Sequence, residues 1–213
     1  MNHTLYIIVD LIFRLATLLF LVRFLLQACA ADFYNPISQA VVKGSEGIAG
    51  HLRRLLPKTG RWDFASLILA WLMGIAFAAL ITMGSLGPAQ YLVAGLVRTL
   101  TILVDFYWWS TLLLVIASFV TQGNYHPALS LLEELLAPLM TPLRNILPTA
   151  GPLDFSPMVL ILLLSILQQS LPRAYGLVYT HDVSKEFRRL SHAAALCLRH
   201  PARLAERLHP RRL

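Results

Sequence analysis

Charge is what this sequence has least of. Only 14% of its 213 residues are Asp, Glu, Lys or Arg, while 57% are hydrophobic; soluble proteins average roughly 25% charged and 45–50% apolar. That balance argues against a soluble fold. Cysteine is nearly absent as well. Cys29 and Cys197 stand alone, with no CxxC, no CxxCH and no His/Cys cluster at ligand spacing, so neither a thiol oxidoreductase nor a haem-attachment apoprotein nor a zinc site has support. The seven histidines follow no ligand spacing either, and His51 and His126 fall in polar connecting segments. No nucleotide-binding or catalytic motif is present. The expectation is a protein that is not an enzyme and carries no cofactor and no metal.

Long apolar runs are what the sequence has instead. A membrane-spanning helix needs about 20 mostly apolar residues, and four segments qualify: 5–31, 64–84, 91–120 and 158–178. The first lacks the basic flank of a signal peptide and its apolar stretch is too long for one, so it is expected to be an uncleaved first helix. The lipid bilayer is thus the first expected partner.

Residues 34–69 align with 125–160, without a gap, at an offset of 91. Tyr34/Tyr125, Pro36/Pro127, Leu52/Leu143, Arg53/Arg144, Leu56/Leu147, Pro57/Pro148, Gly60/Gly151, Asp63/Asp154, Phe64/Phe155 and Leu69/Leu160 are identical pairs. Matched Pro, Gly, Arg and Asp point to a duplication. The expected fold is an all-α membrane protein with four transmembrane helices from two parallel two-helix repeats, 1–90 and 91–178, followed by a basic tail, 179–213. Each repeat holds two spans, so both enter the membrane from one side and both connectors share a face.

The first connector places Ile37, Val41, Ile48, Leu52 and Leu55 along one stripe, as an amphipathic helix in the interface does. The second is more apolar and is expected to be broken by Pro138 and Pro142, dipping into the bilayer as a re-entrant element. In each repeat a proline, a glycine and then an aspartate precede the next span. Asp63 and Asp154 are suited to cap that span and complement its dipole; a ligand role is the alternative.

Charges inside a span are costly, at about 2.5–3.5 kcal/mol each on insertion scales. Asp10, Arg14 and Arg23 lie in the first segment and Arg98 and Asp105 in the third. Arg14 and Asp105 are repeat-equivalent, so a cluster of Asp10, Arg14, Arg98 and Asp105 is expected, with Arg14 to Asp105 as its leading pair. Arg23, nearer a helix end, is expected to snorkel to the headgroups. Gln27, Gln168 and Gln169 are expected to bridge helices.

The net charge of +7 gathers late in the sequence. From His181 on, Lys185, Arg188, Arg189, Arg199, Arg203, Arg207, Arg211 and Arg212 face three acids, Asp182, Glu186 and Glu206. This tail reads either as a basic amphipathic helix on an anionic leaflet or as a solvated extension. No module or aromatic interleaving supports nucleic-acid binding.

The stretch from Cys29 to Val42, the run Arg53, Arg54, Leu55, Leu56, Pro57 with Gly60 and Asp63, and PLMTPLRNILPTAGPLDFSP from Pro138 to Pro157 resemble the YggT family of membrane proteins. Pro142, Arg144, Pro148, Gly151 and Asp154 complete the second motif. The chain departs from the family where Gly47 and His51 replace the prolines and Asn145 replaces the second arginine. The resemblance covers residues 1 to about 178 and implies a bacterial inner-membrane, multi-pass protein. Its themes are osmotic tolerance and potassium uptake, cell division, and cytochrome haem attachment in plastids. The expected function is a non-enzymatic assembly or scaffold factor that docks partner membrane proteins, with self-association compatible; an ion-transport component is the alternative.

Overall fold

The computed structural model describes residues 3–55, 62–121, 126–146 and 154–171, with the backbone alone at 53–55 and 119–121. The described residues form helices and no strand. They are α1 (His3–Ala28), α2 (Pro36–Leu55), α3 (Phe64–Thr82), α4 (Pro88–Thr121) and α5 (Pro127–Ile146), then α6 (Ser156–Leu171). The described residues all fall within one compact unit. The basic tail, 179–213, lies outside the described residues.

Three helices are long and apolar enough to cross a membrane: α1, α3 and α4 over Pro88–Ser118. The fourth expected span is represented by α6, which is apolar but only 16 residues long, about 24 Å at 1.5 Å per residue. Residues 172–178 of that span lie outside the described residues. Large apolar side chains face outward along these helices, including Leu5, Ile8, Ile12, Leu96, Leu113, Leu162 and Leu163, as befits helices solvated by hydrocarbon rather than water.

Packing runs from α1 to α3 and from α3 to α4, while α2 lies on α1 and α5 on α4. Phe20, Leu21, Ala49, Leu69, Ala70 and Ile102 close one core where α1 to α4 meet. Leu25, Leu26, Tyr107, Leu131, Leu135, Leu136, Met140, Leu160 and Leu164 close the other, which joins α1 to α4, α5 and α6. Each connector helix is therefore bound into a core through one face.

Two expectations about the elements need correction. The first span was expected to reach residue 31, but α1 ends at Ala28 because Ala30 turns left-handed, with φ 52°, and the Ala31 N–H folds back onto the Leu26 carbonyl at 2.9 Å. The second connector was expected to break at its prolines, yet α5 runs unbroken through Pro138 and Pro142. A mid-helix proline costs about 3 kcal/mol. Both prolines sit on the exposed face, where the freed carbonyls can be solvated, while Leu131, Leu135, Leu136 and Met140 anchor the opposite face. Tertiary packing outweighs the local break, so α5 lies on the core as a continuous helix.

Small residues set the α3–α4 crossing. Ala70, Gly74 and Ala78 recur every four residues and are all buried. A Cβ on Gly74 would stand 2.7 Å from the Gly95 carbonyl oxygen. That proximity lets the Trp71 indole donate to the Leu92 carbonyl at 3.0 Å and the Thr99 hydroxyl reach the Ala70 carbonyl at 3.3 Å.

Candidate functional site

The polar groups of the apolar helices collect in two places. The first is near the middle of α1 and α4. Arg14 lies 14 positions before the end of α1, and its Nη2 donates to Asp105 Oδ2 of α4. Gln168 of α6 donates through Nε2 to Asp105 Oδ1 at 2.8 Å, so one carboxylate ties three helices. Four positions earlier on α1, Asp10 accepts from Arg98 Nη2 at 2.8 Å. The Arg98 guanidinium lies 3.4 Å over the Phe77 ring centroid, and Phe77 meets Phe13 and Tyr6 edge to face. A ring face gives a cation an attractive partner where hydrogen bonds run out; the buried Arg98 Nε has no hydrogen-bond partner. The four expected charges are thus brought together as two ion pairs of zero net charge.

The second place is the connector end of α1, where sequence reasoning missed the key residue. Arg23 was expected to snorkel to the headgroups, but only 5% of its side chain is exposed. Its Nη1 donates to the Val42 carbonyl at 2.8 Å and to Ser45 Oγ at 2.6 Å, and its Nη2 pairs with Glu46. Its Nε faces Asp63 Oδ2 at 3.4 Å, on a carboxylate only 2% exposed. Asp63 in turn accepts from the Ser66 hydroxyl at 2.8 Å and from the Ser66 N–H at 3.4 Å, capping α3. One guanidinium therefore holds α1, α2 and the start of α3. A signal was present: Glu46 is the sole acid of α2, and Asp63 stands directly before α3, both in the same repeat as Arg23.

In the second repeat the equivalent cap is met differently. Leu114 stands where Arg23 does, 91 residues on, and Asp154 instead accepts from Arg144 Nε at 2.8 Å and from the Ser156 N–H at 2.9 Å. Partial burial pushes the Asp154 carboxyl up, but the Ser156 hydroxyl and N–H and the Arg144 guanidinium outweigh it and hold the group below the usual carboxylate range. A lowered folded-state value stabilises the fold above the unfolded value and loses that contribution as pH falls through the folded one. The α5–α6 clasp is therefore intact at neutral pH. In an acid titration of thermal stability, Arg144→Ala is expected to move the acid-side loss to higher pH than in wild type, and an unchanged acid limb would show that the clasp contributes nothing.

The connectors also lock to each other. Asn35 Oδ1 accepts from the Ile37 N–H at 2.9 Å, starting α2, while its Nδ2 donates to the Pro127 carbonyl at 2.6 Å. At the equivalent position His126 Nδ1 accepts from the Ala128 N–H at 3.2 Å, starting α5. The Asp32 N–H donates to Glu134 at 2.8 Å. Phe33, Tyr34, Trp62, Phe64 and Phe155 stand exposed at this end, an aromatic rim of the kind found at membrane interfaces.

Of the expected connector motif, Asp63, Pro142, Arg144 and Asp154 are placed as described. Arg53 and Arg54 belong to α2 by backbone alone, and Pro57, Gly60, Pro148 and Gly151 lie outside the described residues. Among the described residues no three His, Cys, Asp or Glu side chains converge as a metal site would need.

Comparison with known proteins finds relatives of this sequence. A family model described as CCB3/YggT matches the chain twice, over residues 2–84 and 93–175. The Escherichia coli K12 protein named Uncharacterized protein YggT is 37% identical over 166 residues, covering 78% of this chain and 87% of its own. An uncharacterized protein of Pseudomonas aeruginosa is 34% identical over 162 residues, 70% and 79% of the two chains, and one of Vibrio alginolyticus 34% over 160 residues, 73% and 86%. No solved structure matches.

Proposed function

The chain belongs to the CCB3/YggT family, and on that footing we propose that it is a non-enzymatic scaffold or assembly factor of the bacterial inner membrane, with four spans from two parallel repeats. The observation that supports this reading is mutual neutralisation. Asp10 with Arg98 and Arg14 with Asp105 balance one another's charge in pairs, and Arg23 is committed to α2 and the α3 cap. Charges spent on internal pairing act as glue between helices, and the five charges described in α1 and α4 are all taken up in this way rather than held open for a permeant ion. What the fold leaves open is a connector end rimmed by exposed aromatics, suited to partner membrane proteins that approach in the plane of the bilayer.

A second reading, an ion-transport component, draws on the placement of the two ion pairs at successive depths along α1. Mild crosslinking in native membranes, with flux measured on purified protein in liposomes, separates the two. The scaffold reading expects a stoichiometric partner protein trapped through positions such as Trp62 or Phe155 and liposomes no leakier than empty ones. Recovery of the protein without a partner, together with ion flux abolished by Asp105→Asn, would overturn it.

A further inference from the structure

We propose that two copies of this chain pair within the bilayer, with Arg14 of each copy capped by Gln169 of the other. The inference rests on α1 and α6 both standing in the membrane; it does not depend on the scaffold role.

Arg14 is the anomaly that motivates it. Its charge is balanced by Asp105, yet 45% of its side chain remains exposed, near the middle of a helix long enough to cross a membrane. A guanidinium carries five N–H donors, and among the described residues Arg14 uses them only on Asp105. Its exposed neighbours Leu11 and Leu15 are apolar, so with α1 in a bilayer this surface meets hydrocarbon, which offers no acceptor. The site therefore lacks acceptors, not charge. A foreign helix bringing a carboxylate would leave an uncompensated negative charge in low dielectric, at a cost of several kcal/mol. A neutral carboxamide satisfies the donors without that penalty.

This chain carries such a group at the right depth. Gln169 is exposed on α6, between the exposed apolar residues Leu162 and Ile166 and the end of the helix. It lies 13 positions from the connector-end start of α6 at Ser156, about 20 Å, while Arg14 lies 14 positions from the connector-end terminus of α1 at Ala28, about 21 Å. A two-fold axis along the membrane normal preserves depth, so it can bring the Gln169 carbonyl to the partner's Arg14 twice in one interface. The bond between Gln168 and Asp105 puts α6 beside Arg14 in the same copy, so both halves of the contact lie on one face. Apolar contact alone gives little preference over lipid, and interhelical hydrogen bonds supply it.

The test uses the full chain in native membranes, with Cys29→Ser and Cys197→Ser as background. Two differently tagged forms, one with Leu15→Cys and one with Ile166→Cys, are co-expressed and treated with a short bis-maleimide. A mixed dimer is expected, with at least about a three-fold lower yield when Gln169→Leu is added and recovery with Gln169→Asn. Leu72→Cys, exposed on α3, paired with Ile166→Cys is expected to give little. Monomer throughout, adducts with another protein only, equal yield from Leu72→Cys, or indifference to Gln169→Leu would each overturn the pairing. Labelling Phe155→Cys with an impermeant maleimide from the side that labels Trp62→Cys tells a failure of pairing from a failure of α6 to stand in the bilayer.

Discussion

Arg23→Leu is expected to cost about 3–5 kcal/mol, the usual penalty for removing one partner of a buried ion pair, and so to consume much of the 5–15 kcal/mol that holds a domain folded. The side chain it leaves behind is the reason. Asp63 is 2% exposed, and the substitution takes away the guanidinium that faces its carboxylate inside the fold, beside the Ser66 donors of the α3 cap described above. Leucine is a fair replacement in shape, since Leu114 occupies the equivalent position of the second repeat. Any loss therefore reads the charge and its hydrogen bonds rather than lost volume. Adding Asp63→Asn, which removes the buried negative charge, is expected to recover part of the loss. Thermal unfolding in detergent or nanodiscs measures both variants; an Arg23→Leu protein as stable as wild type would mean that α2 and α3 are held by apolar packing alone.

The second large effect is expected at the α3–α4 crossing. A Cβ on Gly95 would lie 2.4 Å from Ile75 Cγ1 and 3.0 Å from the Ile75 backbone nitrogen. The side chain could rotate away, but the backbone cannot, so Gly95→Val must separate the helices and stretch the Trp71 and Thr99 contacts to the opposite backbone. Overpacking of this kind costs about 1–3 kcal/mol, occasionally more. Gly47→Ala is the matched control, because nothing lies within 4 Å of a Cβ there and alanine favours a helix by up to about 1 kcal/mol. Expression and thermal stability should move in opposite directions for the two variants. Equal behaviour would show that the α3–α4 spacing is not set by glycine.

What could be read from the sequence followed the duplication. The 91-residue offset set Arg14 opposite Asp105 and Asp63 opposite Asp154, and the structure joins the first two across α1 and α4 and places both aspartates at helix starts. Arg23 escaped that reasoning because the repeats diverge there: with leucine at the equivalent position, symmetry gives no hint of a partner. Its proximity to α2 depends on how a connector folds back over its own span, a tertiary fact. Pro138 and Pro142 misled for a related reason. Local propensity weighs a proline by the bond it removes, whereas α5 is held by the apolar face that those prolines do not occupy. Gln168 was readable as a helix bridge, but the carboxylate it bridges to depends on α6 lying beside α4.

At the centre of this account is the idea that the intramembrane charges bind the two repeats to each other. Exchanging them tests it most directly, with Arg14→Asp, Asp105→Arg and the double variant compared by folded yield and thermal unfolding in nanodiscs. Each single substitution places two like charges together and is expected to abolish or sharply lower the folded yield. The double variant is expected to regain most of it, because the pair is restored in reverse and the Gln168 carboxamide can turn its carbonyl toward the new guanidinium. A double variant no better than either single would contradict the pairing, and with it the view that these charges are the glue between the repeats.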